Sequence, residues 1–101
     1  MSDVFGALAH PVRRKILKLL RDGPMSAGDL AAHFDLAKPT LSGHFTVLKA
    51  ADLVTSERKG TTILYRLNVS VVEEALAALM AIAGVGEPKE EEPGKWESAH
   101  R

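Results

Sequence analysis

Apolar residues recur along this chain at spacings that change from segment to segment, and the changes mark out its elements. Val4, Phe5 and Leu8 fall at i, i+1 and i+4, the edge of a short helix. His10-Pro11 interrupts it, because proline disfavours helical backbone at the residue before it and suits the first turn of the next helix. Val12, Ile16, Leu17, Leu19 and Leu20 then share one face. Arg13, Arg14, Lys15, Lys18 and Arg21 fill the rest until Asp22-Gly23-Pro24 stops the helix. Ser26 precedes Ala27-Gly28-Asp29-Leu30, a capping hydroxyl with an acid three residues on. Leu30, Ala31 and Phe34 form the buried side of this brief helix, and Asp35-Leu36-Ala37 is a tight connection. Pro39 opens a further helix over residues 38–50, whose core stripe is Leu41, Phe45 and Leu48. Two short helices joined by a few residues have the shape of a helix-turn-helix.

The period then shortens. Residues 53–58 and 62–67 are rich in β-branched side chains and partly alternate, and Lys59-Gly60-Thr61 supplies the glycine of a three-residue hairpin loop. The alternation points Ile63, Tyr65 and Leu67 inward, with Leu64 and Arg66 outward. Ser70 is placed to cap a last helix over residues 71–83, with Val72, Leu76, Leu79, Met80 and Ile82 apolar and Gly84 and Gly86 at its end. The order α-α-α-α-β-β-α predicts a mainly α fold with a small β-hairpin, a winged helix-turn-helix. Residues 1–83 are expected to form one DNA-binding and dimerisation domain. Residues 84–101, rich in Glu, Lys and Pro with Trp96 as the lone anchor, are expected to be an acidic, disordered tail.

Composition adds exclusions. The 101 residues are 46% hydrophobic and 26% charged, ordinary for one globular domain. No apolar run approaches the roughly 20 residues of a membrane span, so no membrane insertion is expected. The first residues lack a basic stretch followed by an apolar one, so a cytoplasmic location without signal peptide is expected. There is no cysteine, which rules out disulfides, thiolate metal sites and thiol redox chemistry. The net charge is zero but uneven. Residues 1–83 hold ten Lys/Arg against eight Asp/Glu, and residues 84–101 hold three against five.

That mildly basic body directs attention to the helix over residues 38–50. Once its core stripe is removed, Lys38, Thr40, Ser42, Gly43, His44, Thr46 and Lys49 remain, with no carboxylate before Asp52. Small hydroxyls, a threonine methyl and lysines suit a helix that enters a major groove. Arg58 and Lys59, with Thr61 beside them at the hairpin tip, suit phosphates or the neighbouring minor groove. Arg13, Arg14 and Lys15 are open to a phosphate contact or to intramolecular ion pairs. Val4, Phe5 and Leu8, together with Val72, Leu76, Leu79 and Met80, exceed what a small monomer core buries and point to dimerisation.

The segments Phe5-Gly6-Ala7-Leu8-Ala9-His10-Pro11-Val12-Arg13-Arg14-Lys15-Ile16-Leu17, Ser26 to Phe34, Ala37-Lys38-Pro39-Thr40-Leu41-Ser42-Gly43-His44-Phe45-Thr46-Val47-Leu48, and Leu53-Val54 through Tyr65-Arg66-Leu67-Asn68 resemble, in order, the ArsR-type winged-helix repressors. Within that family they are similar to the SdpR-like autorepressor branch. The resemblance implies a homodimer built on the first and last helices, bound to double-stranded DNA at an operator of inverted half-sites. It also leaves room for a regulatory partner protein. Two positions depart from the pattern. Gly43 stands where His is usual, which costs about 1 kcal/mol of helix propensity. Phe45 replaces the usual Leu, a change absorbed by the core.

Many members of this family sense metals, but this chain lacks their cysteines. Its last helix offers Glu73 and Glu74 without a histidine, and His10, His33, His44 and His100 lie in separate segments without ligand spacing. No metal site and no cofactor are expected. Nor is an enzyme, since there is no phosphate loop, nucleophile elbow or paired carboxylate. Besides the repressor, two readings stay open: a small-molecule- or metal-responsive sensor, and a protein–protein interaction module on the same fold.

Overall fold

The computed structural model describes residues 3–86; residues 87–101, which hold most of the expected tail and Trp96, lie outside them. Helix α1 spans Val4–Leu8, α2 Pro11–Leu20, α3 Ala27–Ala31, α4 Lys38–Ala50 and α5 Val69–Ala83; strands β1, β2 and β3 span Met25–Ser26, Val54–Lys59 and Thr62–Leu67. The first three helices each start on a local side-chain bond. The Asp3 carboxylate accepts from the Gly6 amide at 2.8 Å and starts α1. His10 Nδ1 accepts from the Val12 amide at 3.1 Å, with Pro11 at the first helical position of α2. Ser26 Oγ accepts from the Asp29 amide at 3.0 Å and starts α3.

The core lies where α2, α3 and α4 meet the sheet. Ile16, Leu20, Leu30, Leu48 and Leu53 are completely enclosed, and Leu17, Leu41, Phe45, Val54 and Tyr65 surround them. The rings of Phe45 and Tyr65 stand 4.6 Å apart, so helix α4 is fixed to the sheet by an aromatic contact on its inner side. Everything on α4 opposite that stripe is turned outward.

Four local features differ from expectation. Met25–Ser26 pairs with β3, Met25 opposite Tyr65 and Ser26 opposite Leu64, so the hairpin is part of a three-stranded sheet in the order β1-β3-β2. Two residues carry no period, and the sheet partner that makes them a strand lies forty residues away. Leu64 keeps the face opposite Tyr65 but is half-buried there, because Ser26 and Glu57 flank it on both sides. The hairpin loop is the two residues Gly60-Thr61, since Lys59 pairs with Thr62. Gly60 has φ +65°, the glycine-favouring first position of a II′-like turn. Helix α5 starts at Val69 rather than after Ser70. Asn68 is its cap position but donates its side-chain amide to the Asp52 carbonyl at 2.9 Å, which ties the start of α5 to the end of α4.

That end of α4 is a Schellman motif. The Asp52 amide donates to the Lys49 carbonyl at 2.9 Å and the Leu53 amide to the Leu48 carbonyl at 3.0 Å, with Asp52 left-handed at φ +61°. The chain turns there directly from α4 into β2, so the wing follows the helix by three residues.

Candidate nucleic-acid interface

Helix α4 presents Lys38, Pro39, Thr40, Ser42, Gly43, Thr46, Val47, Lys49 and Ala50 to solvent while Leu41, Phe45 and Leu48 are buried beneath them. The surface is small-sided, and a Cβ added at Gly43 would meet nothing within 4 Å. Thr46 Oγ1 donates to the Ser42 carbonyl at 3.1 Å, so that hydroxyl proton is held by the helix. Val47 is 39% exposed, an apolar residue within a polar face. The sequence reading passed over it because valine carries no donor; its methyl groups suit contact with a thymine methyl.

His44 departs from this group. It is half-buried, and its Nδ1 accepts from Nη1 of Arg13 at 3.1 Å. Its ring lies 4.4 Å from that of His10, tilted by 53°. Arginine has only donors, so this Nδ1 is unprotonated and the imidazole is neutral. Burial first, then His10 and Arg13, hold its pKa below the usual 6.5.

The basic residues after Pro11 are occupied within the molecule. Arg13 also donates to the carbonyls of Ala7 and Gly6, at 2.8 and 3.2 Å, and Arg14 to that of Leu8 at 2.8 Å. Two guanidiniums thereby bond the carbonyls at the end of α1, where the Gly6 carbonyl also accepts from the Ala9 amide at 3.1 Å. Lys15 donates to the His33 carbonyl at 3.0 Å and stands over the Phe34 ring, 4.8 Å from its centre.

On the wing, Arg58, Lys59 and Thr61 are exposed. Glu57 draws two cations, Lys59 at 3.8 Å and Arg66 at 3.4 Å. Arg58 has no ion pair among the described residues. The wing carries three cations against one carboxylate, and Arg58 is the exposed cation left without an ion pair.

The apolar residues of α1 and α5 divide. Val4, Leu8, Val72 and Met80 are half-buried, whereas Phe5, Leu76 and Leu79 are exposed, as are Val69 and Ile82 and, just past the helix, Val85. Of the fifteen residues of α5 only Ala75 is buried. Val4, Phe5, Val71, Glu74, Ala75 and Ala78 line a shallow groove between the two helices. Among the described residues no three His, Asp or Glu side chains gather as a metal-binding group, and no helix is long and apolar enough to cross a membrane.

Comparison with known proteins agrees with this geometry. A family model for a helix-turn-helix domain matches residues 8–57. The transcriptional repressor SdpR of Bacillus subtilis is 41% identical over 87 residues, covering 86% of this chain and 97% of that protein. The arsenical resistance operon repressor of Staphylococcus xylosus is 40% identical over 68 residues, 67% of this chain and 65% of that one. Among solved structures, an ArsR-like transcriptional regulator from Rhodococcus superposes with a TM-score of 0.69 at 30% identity, covering 80% of this chain and 76% of that one. NolR from Sinorhizobium fredii superposes with a TM-score of 0.64 at 35% identity, covering 81% and 82%.

Proposed function

Because this chain belongs to the ArsR family of winged helix-turn-helix regulators, we propose that it is a DNA-binding transcriptional repressor acting as a homodimer in the cytoplasm, with no catalytic role. The observation that carries the proposal is the solvent face of α4, free of carboxylates and built from Lys38, Thr40, Ser42, Gly43 and Thr46 on a helix whose other side is locked into the core. That face enters the major groove, where hydroxyls and lysine meet base edges. Arg58, Lys59 and Thr61 meet phosphates or the adjoining minor groove and supply affinity that does not depend on sequence.

The unpartnered apolar faces of α1 and α5 support dimerisation, through Phe5, Leu76 and Leu79 at the surface and Val4, Leu8, Val72 and Met80 beneath. A two-fold dimer carries two α4 helices related by that axis, so its operator is an inverted repeat. Repression follows from occupancy, and a repressor that binds its own promoter is relieved by dilution or by a partner protein. Selecting duplexes from a random pool with the purified protein tests the reading. Inverted half-sites about one helical turn apart are expected. Recovery of no preferred sequence would overturn the specific-repressor reading.

A further inference from the structure

Arg13 stands where three elements meet. Its Nε and Nη2 hold the Ala7 and Gly6 carbonyls at the end of α1, and its Nη1 holds His44 on α4. His10, which caps α2 through its own Nδ1, lays its ring against that of His44. Helix α1 carries part of the dimer face proposed above and α4 the DNA-reading face, so one side chain joins the two.

We propose that Arg13 is a positioning residue that latches the recognition helix to α1 through His44, and that protonation of His44 opens this latch and weakens DNA binding. This rests on the DNA-binding reading above. A neutral His44 offers Arg13 a lone pair; an imidazolium offers none and sets a second cation against the guanidinium. The titratable and charged groups that face His44 are His10 from the α1–α2 junction and Arg13 from α2, and neither brings negative charge. The latched ring therefore has a lower pKa than a released one, whose ordinary value is 6.5. The released state binds more protons once the pH falls below that value. The latch is whole above pH 6.5 and weakens as pH falls through the lowered pKa. A histidine that touched a DNA phosphate would act with the opposite sign, binding DNA more tightly in acid.

The test uses the full chain and two duplexes, one selected by the protein from a random pool and one scrambled, at constant ionic strength. Fluorescence anisotropy is followed from about pH 7.5 to about pH 5.5, the range in which histidine titrates. The wild-type protein is expected to lose affinity for the selected duplex several-fold in acid. His44→Asn, whose amide oxygen replaces Nδ1 as acceptor without titrating, loses that acid-dependent fall. Arg13→Lys, which cannot hold three acceptors in one plane, binds roughly tenfold more weakly at the upper pH. In the protein without DNA, an NMR titration places the His44 pKa below 6.5 in the wild type, and Arg13→Lys moves it upward. Acid-strengthened binding, or a His44 titration that Arg13→Lys leaves in place, overturns the latch. Failure to bind either duplex at any pH overturns the DNA reading instead, while the NMR titration still decides whether Arg13 holds His44.

Discussion

Shortening two leucines on α5 to alanine separates the dimer from the fold. Leu76 is 54% exposed and Leu79 49%, on a helix that buries only Ala75. Full burial of a leucine side chain is worth about 1.5–3 kcal/mol. Covering the exposed half of each in a dimer is worth ~1 kcal/mol per residue, and two-fold symmetry counts every residue twice. Leu76→Ala with Leu79→Ala therefore removes ~4 kcal/mol from association, close to a thousandfold in the dimer dissociation constant. Alanine is the best helix former, so α5 itself is not weakened. Sedimentation across a concentration series is expected to find the wild type at twice 10.9 kDa and the double variant at 10.9 kDa, with unchanged circular dichroism. Affinity for an inverted-repeat duplex should fall with the dimer. A double variant that stays dimeric within about tenfold of the wild type would refute the argument, because the exposed face of α5 would then not be the interface. A variant that unfolds would refute it differently, by showing that this face packs on its own body.

Further outcomes follow from four single positions. Thr40→Ala should cost ~1–3 kcal/mol on the selected duplex and little on random DNA, whereas Arg58→Ala should weaken both and lower the salt slope by about one, as parallel salt titrations would show. Asp52→Gly should raise stability by about 0.5–1 kcal/mol in urea unfolding, since φ +61° strains any residue with a Cβ and the Schellman bonds are made by the backbone. Burial raises the Tyr65 pKa above its usual 10.0. The folded state then holds its proton longer than the unfolded chain, so stability should decline as pH rises past 10.0 and phenolate absorbance should appear late; a Tyr65 that titrates like free tyrosine would contradict its place against Phe45.

Local chemistry in the sequence sufficed for most of the architecture. His10-Pro11, Ser26 and Asp22-Gly23-Pro24 start or stop helices through bonds made within a few residues, and the stripe Leu41, Phe45 and Leu48 settles which side of α4 faces the core. Because that stripe is local, the outward group of Lys38, Thr40, Ser42, Gly43 and Thr46 was legible with it. What depends on distant partners was not. Met25–Ser26 becomes a strand only because β3 passes beside it, and Leu64 is sheltered for the same reason. His44 reads on a helical wheel as a flank of the outer face, yet Arg13, thirty-one residues earlier, turns it to the α1–α2 junction. Arg13 and Arg14 read as open either to a DNA phosphate or to pairing within the molecule, and their bonds to the α1 carbonyls depend on where the fold sets that helix beside α2. Periodicity reports how a segment faces the core, since that depends on its own repeat. Which polar group answers another across the fold depends on where the chain brings them together, and only the tertiary structure decides that.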